Sequence, residues 1–366
     1  MEQLVVTYQL KTDDPKGLAD AIRVEQSIEF PNELAPKWIQ EEVVGQIVSM
    51  GNTVEGVTEV VISYNPGNTG YELPQLLNVL WGNVSILEGV RITAVEIPES
   101  ILKVFKGPRF GIDGLRKMFN APDRPLASTA LKPMGSSSQE LAEMAYTIAK
   151  AGFDTIKDDH SLANQPWSLW RERVEVISEA VARANEETGG HCLYAPSINL
   201  PANEMLDAAR EAKKMGATSL LILPGISGFD TMRAIAEDDQ VALPIMGHPA
   251  MLGSFAIGKE QGLSHGILFG EIMRLAGADI GIFPNFGGRF SFSQEQCADI
   301  RDSARKKIGH LNSMWISPAG GMQIDRIDDM ISFYGNDTAS LIGGALHRGD
   351  LFENSSAMVQ KLASHG

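Results

Sequence analysis

One short run, Ile156-Lys157-Asp158-Asp159-His160, sets an amine, two carboxylates and an imidazole in consecutive positions. Carboxylates and an imidazole suit a divalent cation, whereas an ammonium repels one unless it has become a carbamate. The two-residue period of an extended segment sends Lys157 and Asp159 to one face and Asp158 and His160 to the other. A turn opening at Asp159 would return His160 to the first face. The same spacing fits a plain strand-end ion pair followed by an aspartate helix cap, and spacing alone does not separate the two. Lys132 stands before Pro133. It is either a solvated rim residue or, at a closed mouth with a depressed pKa, an acid or base. His248 precedes Pro249, which fixes the turn there. Its imidazole is either presented to a ligand or packed and bonded to backbone. The pairs Gly320-Gly321 and Gly343-Gly344 leave backbone N–H groups open to the oxygens of a phosphate, or simply make tight turns.

These residues need elements that bring them to one place. From Leu126 the chain repeats a β-branched run, a turn rich in Gly, Pro, Asn or Ser, and a stretch of helical period. Eight such runs occur, at 126–131, 154–158, 192–198, 219–224, 241–247, 279–284, 313–318 and 340–346. Helices are predicted between them, over 138–151 and 203–215 for example. Eight strand–helix units in this length, with no dinucleotide glycine fingerprint after the first, predict a closed (β/α)8 barrel over 119–366. Function in such a barrel sits in the loops after the strands. Lys132, Lys157 to His160, Asn199, His248, Asn285 to Arg289 and the glycine pairs all fall there, and Trp167 and Trp170 read as packing residues of the second helix. The first 118 residues predict a ferredoxin-like α+β domain, with strands at 4–10, 54–64 and 84–98 and helices at 15–25, 35–49 and 72–80.

Composition limits the partners. The 366 residues carry 31 basic and 46 acidic side chains, a formal charge of −15, which disfavours a nucleic-acid or anionic-membrane surface but not a local basic pocket for an anionic small molecule. Cys192 and Cys297 match neither a disulfide framework nor a zinc site and read as buried thiols of a reducing cytoplasm. The first ten residues lack a secretory pattern, and no apolar run reaches the roughly 18 residues of a membrane span, so a soluble cytoplasmic protein is expected.

Two long segments, 105–133 (FKGPRFGIDGLRKMFNAPDRPLASTALKP) and 152–174 (GFDTIKDDHSLANQPWSLWRERV), resemble the barrel entry and metal segment of the ribulose-bisphosphate carboxylase large subunit. The departures place the chain beside the carboxylase-like proteins of that superfamily. The resemblance implies that CO2 carbamylates Lys157, that Asp159 is a second ligand to Mg2+, and that His160 stands where the family has a glutamate ligand. It implies that Lys132 moves protons, that His248 is a strand-five active-site histidine, and that Asn83, with Glu25, reaches the active site of a partner subunit in a homodimer. Met134 replaces a second lysine, and Arg289 aligns with the CO2-orienting lysine of a mobile loop, which argues against carboxylation. One phosphate site survives in the glycine pairs, with Arg289 beside it. The other has become Pro249 and Ile282, which predicts an apolar pocket with Met251 and Phe283 and a sugar monophosphate substrate. The family's chemistry is proton abstraction beside a carbonyl to give a metal-stabilised enediolate. The resemblance therefore favours a 5-methylthioribulose-1-phosphate isomerase of methionine salvage. Its alternatives are a decarboxylase of the 3-oxo-isoapionate-4-phosphate type, a 2,3-diketo-5-methylthiopentyl-1-phosphate enolase, and a non-catalytic protein.

Overall fold

The chain opens on an alternating segment, Leu4–Lys11 (β1), in which every second side chain is buried. Gln46–Asn52 (β2), Val57–Tyr64 (β3) and Val90–Glu96 (β4) complete an antiparallel sheet in the order β4-β1-β3-β2. Helices Pro15–Glu25 and Leu73–Trp81 carry the two crossovers, each starting with a proline in its first turn, where no amide donor is lost. This strand order is the ferredoxin-like one expected. The computed structural model describes residues 2–52 and 56–366; of the strand predicted over 54–64, Val54 and Glu55 lie outside the described residues. Two compact units are present. The first is built from the chain up to Lys106 together with Met251–Leu268 and Lys307–His310, and the second from the remainder.

Two sequence expectations in the first unit need correction. The helix predicted over 35–49 stops at Glu42, and residues from Gln46 onward form β2. This is an edge strand with Ile47 and Val48 exposed, so it lacks the one-sided burial that makes alternation legible. The strand predicted over 84–98 is a short 3-10 turn, Asn83–Ile86, followed by β4.

The second unit contains, in chain order, Leu126–Leu131 (β5), Thr155–Asp158 (β6), Leu193–Ala195 (β7), Leu220–Ile222 (β8) and Ile245–Gly247 (β9). Gly262–Leu263 (β10) belongs to the first unit, parallel to β4. Ile280–Pro284 (β11), Trp315–Ala319 (β12) and Ala339–Leu341 (β13) complete the second. Its strands are parallel and form two four-stranded arcs, β13-β5-β6-β7 and β12-β11-β9-β8. Single parallel bridges, Ser197 to Leu221 and Ile316 to Thr338, join the arcs into a closed barrel. Among the described residues its eight strands fall on the eight runs read from the sequence. The fifth is shorter than 241–247 because Pro244 lacks an amide hydrogen and Ala242 takes a positive φ of 42°.

Leu126, Ala195, Leu221, Met246, Ile280, Ile282, Trp315 and Leu341 point into the barrel and fill it. Each large aliphatic side chain buried there stabilises the fold by about 1.5–3 kcal/mol. Helix Gly111–Met118 belongs with this unit and not with the first, because Leu115 joins that core, so the units part at Lys106/Gly107, ahead of the expected division at 118. Asp279, just before β11, ties the helix start to the barrel by accepting from the amides of Phe110 (2.7 Å), Gly111 (2.9 Å) and Ile245 (3.0 Å). Cys192 and Cys297 are buried free thiols.

Candidate active site

The inward series of β5 starts at Leu126 and Ser128 and, at period two, ends on Lys132. On the paired strand β6 it runs Thr155, Lys157, Asp159, with Ser128 Oγ and Thr155 Oγ1 3.2 Å apart beneath the lysine. Register therefore places both lysines and Asp159 at one strand end. Lys132 Nζ makes an ion pair with Asp159 Oδ2, while Asp159 Oδ1 accepts from Ser161 Oγ (2.7 Å) and the Ser161 amide (3.2 Å). Burial by itself would raise the Asp159 pKa, but Lys132, Ser161 and Lys157 hold it well below the usual carboxylate range.

Lys157 is buried, 3% exposed, and its Nζ donates to the Asp158 carbonyl at 3.0 Å. Desolvation lowers its pKa to about 8, with Lys132 adding repulsion and Asp159 opposing. The neutral fraction of this amine near physiological pH is therefore far larger than at an ordinary lysine, though still the minority form.

Asp158 faces the other way, as alternation requires. It is fully buried and accepts from Arg173 Nε (3.1 Å), Tyr194 Oη (2.8 Å) and the Ser197 amide (3.1 Å). Arg173 also donates to the Ser168 and Ala163 carbonyls at 2.8 and 2.7 Å, which fixes the loop between β6 and helix Trp170–Thr188. Trp170 anchors the same corner through Nε1 to the Ser197 carbonyl (2.9 Å); Trp167 lies in the loop, half exposed.

His160 returns to the mouth. Its Nδ1 lies 3.3 Å from Asp159 Oδ1, and its ring stacks on that of His248, with centroids 4.7 Å apart and planes 10° apart. Desolvation lowers both imidazole pKa values, strongly for His248, with Lys157 as a further cause, so both rings are neutral at neutral pH. The Ala250 amide donates to His248 Nδ1 at 3.1 Å.

The loop after β11 folds against the end of β12. The Asn285 amide donates to the Ala319 carbonyl (2.8 Å) and the Arg289 amide to the Gly320 carbonyl (2.9 Å). Gly320 takes a φ of 93°, and a Cβ there would stand 2.7 Å from the Phe290 ring, so glycine is required. Gly321 lies against Arg289, whose guanidinium sits over the Phe290 ring. Gly343 and Gly344 follow β13 instead of lying within a strand, and Gly343 lies alongside the stem of Lys132. Pro249 is half-buried. Ile282 is 2% exposed and belongs to the packed interior of the barrel. Asn83 and Glu25 both lie in the first unit, where Asn83 Nδ2 donates to Glu25 Oε1 at 2.7 Å.

Ser161, Arg173 and Tyr194 escaped the sequence reading, while His347, to which the sequence assigned no chemistry, has a half-buried ring within electrostatic reach of Lys132. Arg173 carried a legible signal. The spacing of Trp170, Val174 and Ile177 puts it on the apolar face of its helix, and a charge there calls for a buried partner.

The catalytic-domain profile of the ribulose bisphosphate carboxylase large chain matches residues 111–287, the part of the chain that includes the ends of β5, β6, β9 and β11 but not those of β12 and β13. Ribulose bisphosphate carboxylase-like protein 1 of Rhodopseudomonas palustris is 35% identical over 370 residues, covering 100% of this chain and 99% of that protein. The chain belongs to the ribulose bisphosphate carboxylase-like proteins. A 5-methylthioribulose-1-phosphate isomerase of Rhodospirillum rubrum is 34% identical over 99% of this chain and 96% of its own. The crystal structure of a Rubisco-like protein from Rhodopseudomonas palustris superposes with a TM-score of 0.91 at 35% identity, covering 100% of this chain and 99% of that one. Membership of the family thus accounts for the barrel and the N-terminal sheet together, and no helix among the described residues is long and apolar enough to cross a membrane.

Proposed function

We propose that the protein is an enolising isomerase of 5-methylthioribulose 1-phosphate in methionine salvage, working as a homodimer with Mg2+ or a similar divalent ion. The observation that carries this reading is the convergence of Lys132, Asp159, buried Lys157 and two neutral imidazoles at one barrel mouth. The similarity to the named isomerase runs along almost the whole chain and supports the choice of substrate.

Among the described residues no three His, Cys, Asp or Glu side chains converge as a ready metal cage. Asp159 and His160 supply two donors, and Lys157 supplies a third only as a carbamate. Its desolvated amine suits that conversion, because CO2 reacts with the neutral form, and the reaction turns a repelling cation into an oxygen ligand. The residues therefore fit a divalent ion held by Asp159, His160 and carbamylated Lys157. Such an ion would supply Lewis-acid polarisation of a substrate carbonyl.

The chain's own groups do the rest. Were Asp159 to hold such an ion, Lys132 would be without its carboxylate partner, and its neutral amine would take the proton beside the carbonyl and return it to the neighbouring carbon. His248 is held as the tautomer with hydrogen on Nε2, because the Ala250 amide occupies Nδ1, so it donates to substrate oxygen. The backbone at Gly320-Gly321 and Gly343-Gly344, with Arg289, binds the phosphate. Asn83, with Glu25, completes the partner subunit's site.

The test is incubation with 5-methylthioribulose 1-phosphate and bicarbonate in D2O, with Mg2+ and Co2+ in separate samples, followed by phosphorus and proton NMR. A moved phosphate resonance with deuterium entering the sugar carbons is expected. No turnover by folded protein with cation bound would discard this substrate. The 2,3-diketo-5-methylthiopentyl phosphate and branched 3-oxo-sugar-acid phosphates would then be tested as substrates of an enolase or a decarboxylase.

A further inference from the structure

His160 changes what the mouth of the barrel selects. Its Nδ1 and Asp159 Oδ1 are 3.3 Å apart, close to the span of two neighbouring donors on one ion: bonds of about 2.1 Å at roughly a right angle span about 3 Å. The stack on His248 fixes the plane of the His160 ring while its Nδ1 stays beside that carboxylate oxygen. His248 is not a second nitrogen ligand. Its Nδ1 already accepts from the Ala250 amide, and the neutral ring then carries its hydrogen on Nε2, leaving no lone pair to offer.

One imidazole and one carboxylate oxygen, side by side, are a mixed nitrogen–oxygen pair. Mg2+ favours oxygen donors and parts reluctantly with its waters, whereas borderline ions such as Fe2+, Co2+ and Ni2+ gain strongly from imidazole.

We propose that His160 ligates through Nδ1 beside Asp159 Oδ1, that His248 is the positioning residue stacked against it, and that the site selects a borderline transition ion over Mg2+. This deepens the preceding reading and rests on its assignment of a divalent ion to these residues. It concerns which ion is bound and through which atom, not which sugar is turned over.

The measurement is made on the full-length protein in CO2-equilibrated buffer, with Mg2+ and Co2+ themselves as probes and no substrate present. Calorimetry gives both dissociation constants for the wild type, His160→Glu and His248→Ala, with circular dichroism checking that each is folded. In His160→Glu the preference for Co2+ over Mg2+ falls at least about tenfold, because the substitution exchanges nitrogen for oxygen. In His248→Ala it falls less, since the ligand is kept and only its support is lost. Independently of any variant, the Co2+-loaded wild type shows a strongly shifted, solvent-exchangeable imidazole N–H proton resonance from the Nε2 of a ring bound through Nδ1.

Absence of that resonance with Co2+ bound, or an unchanged preference in His160→Glu, overturns the proposal while leaving a divalent-ion enzyme in place. Failure of both cations to bind overturns the ion assignment as well. Turnover with Mg2+ alone, and none with Co2+ bound, would equally overturn the selection argued here without touching the isomerase reading.

Discussion

Asp158 and Asp159 are neighbours on one strand end, yet they live in opposite environments. Asp158 is sealed between the strands and the helix layer by Arg173, Tyr194 and the Ser197 amide, so that both its oxygens are hydrogen-bonded. Asp159 faces the mouth, held by the partly exposed Lys132 and by Ser161, with His160 alongside. One carboxylate is an anchor that cannot move, and the other can exchange partners. The difference shows that a rigid site is made by dividing adjacent residues between two jobs: the anchor on the outer face sets the strand end from which the reactive group projects.

The contrast breaks most sharply at the anchor. Arg173→Ala leaves a carboxylate buried without its cation, and should destabilise the fold by about 3–5 kcal/mol in urea unfolding. A loss below about 1 kcal/mol would show that Asp158 finds water or another donor there. Next comes Lys157. Its folded pKa, about 8, lies below the ordinary value of 10.5, so the unfolded chain binds more protons between those pH values and stability rises with pH across that window. In CO2-free buffer the gain should be on the order of 3 kcal/mol, and Lys157→Met should remove it; parallel stability–pH curves for the two proteins would refute the shift.

Asp159→Asn should do the opposite of the anchor mutation. It costs less stability than Arg173→Ala, because its ionic partner Lys132 reaches solvent, but abolishes cation binding measured by calorimetry. A large loss of stability there would erase the distinction between the two aspartates. The smallest structural effect is expected at Gly344→Ala, where the added methyl meets nothing within 4 Å. Stability should stay within about 0.5 kcal/mol while KM for the sugar phosphate rises. An unchanged KM would remove that backbone from the phosphate site.

Much of this was legible in the residues. The barrel strands are short and apolar enough to stand out, and Ser137 with Glu140 and Ser293 with Gln296 form capping boxes that start helices after β5 and β11. The edge strand β2 was not legible, because with both faces partly open its side chains show no burial contrast. The placing of Ile282 among pocket residues ran into the same limit from the other side. An apolar residue at a strand end reads alike whether it lines a cavity or fills the barrel, and here it is buried in the filling.

By itself the sequence determined which side chains alternate along β6, and hence that Lys157 and Asp159 share a face while Asp158 does not, because a period of two is a property of the extended backbone. Only the tertiary structure decided what each of them meets. Lys132 reaches Asp159 across 27 positions and Tyr194 reaches Asp158 across 36, while the ring of His160 comes to rest on His248 from another strand. Such partners are chosen by barrel closure and strand register, which depend on the packing of the whole interior and not on any local run of residues.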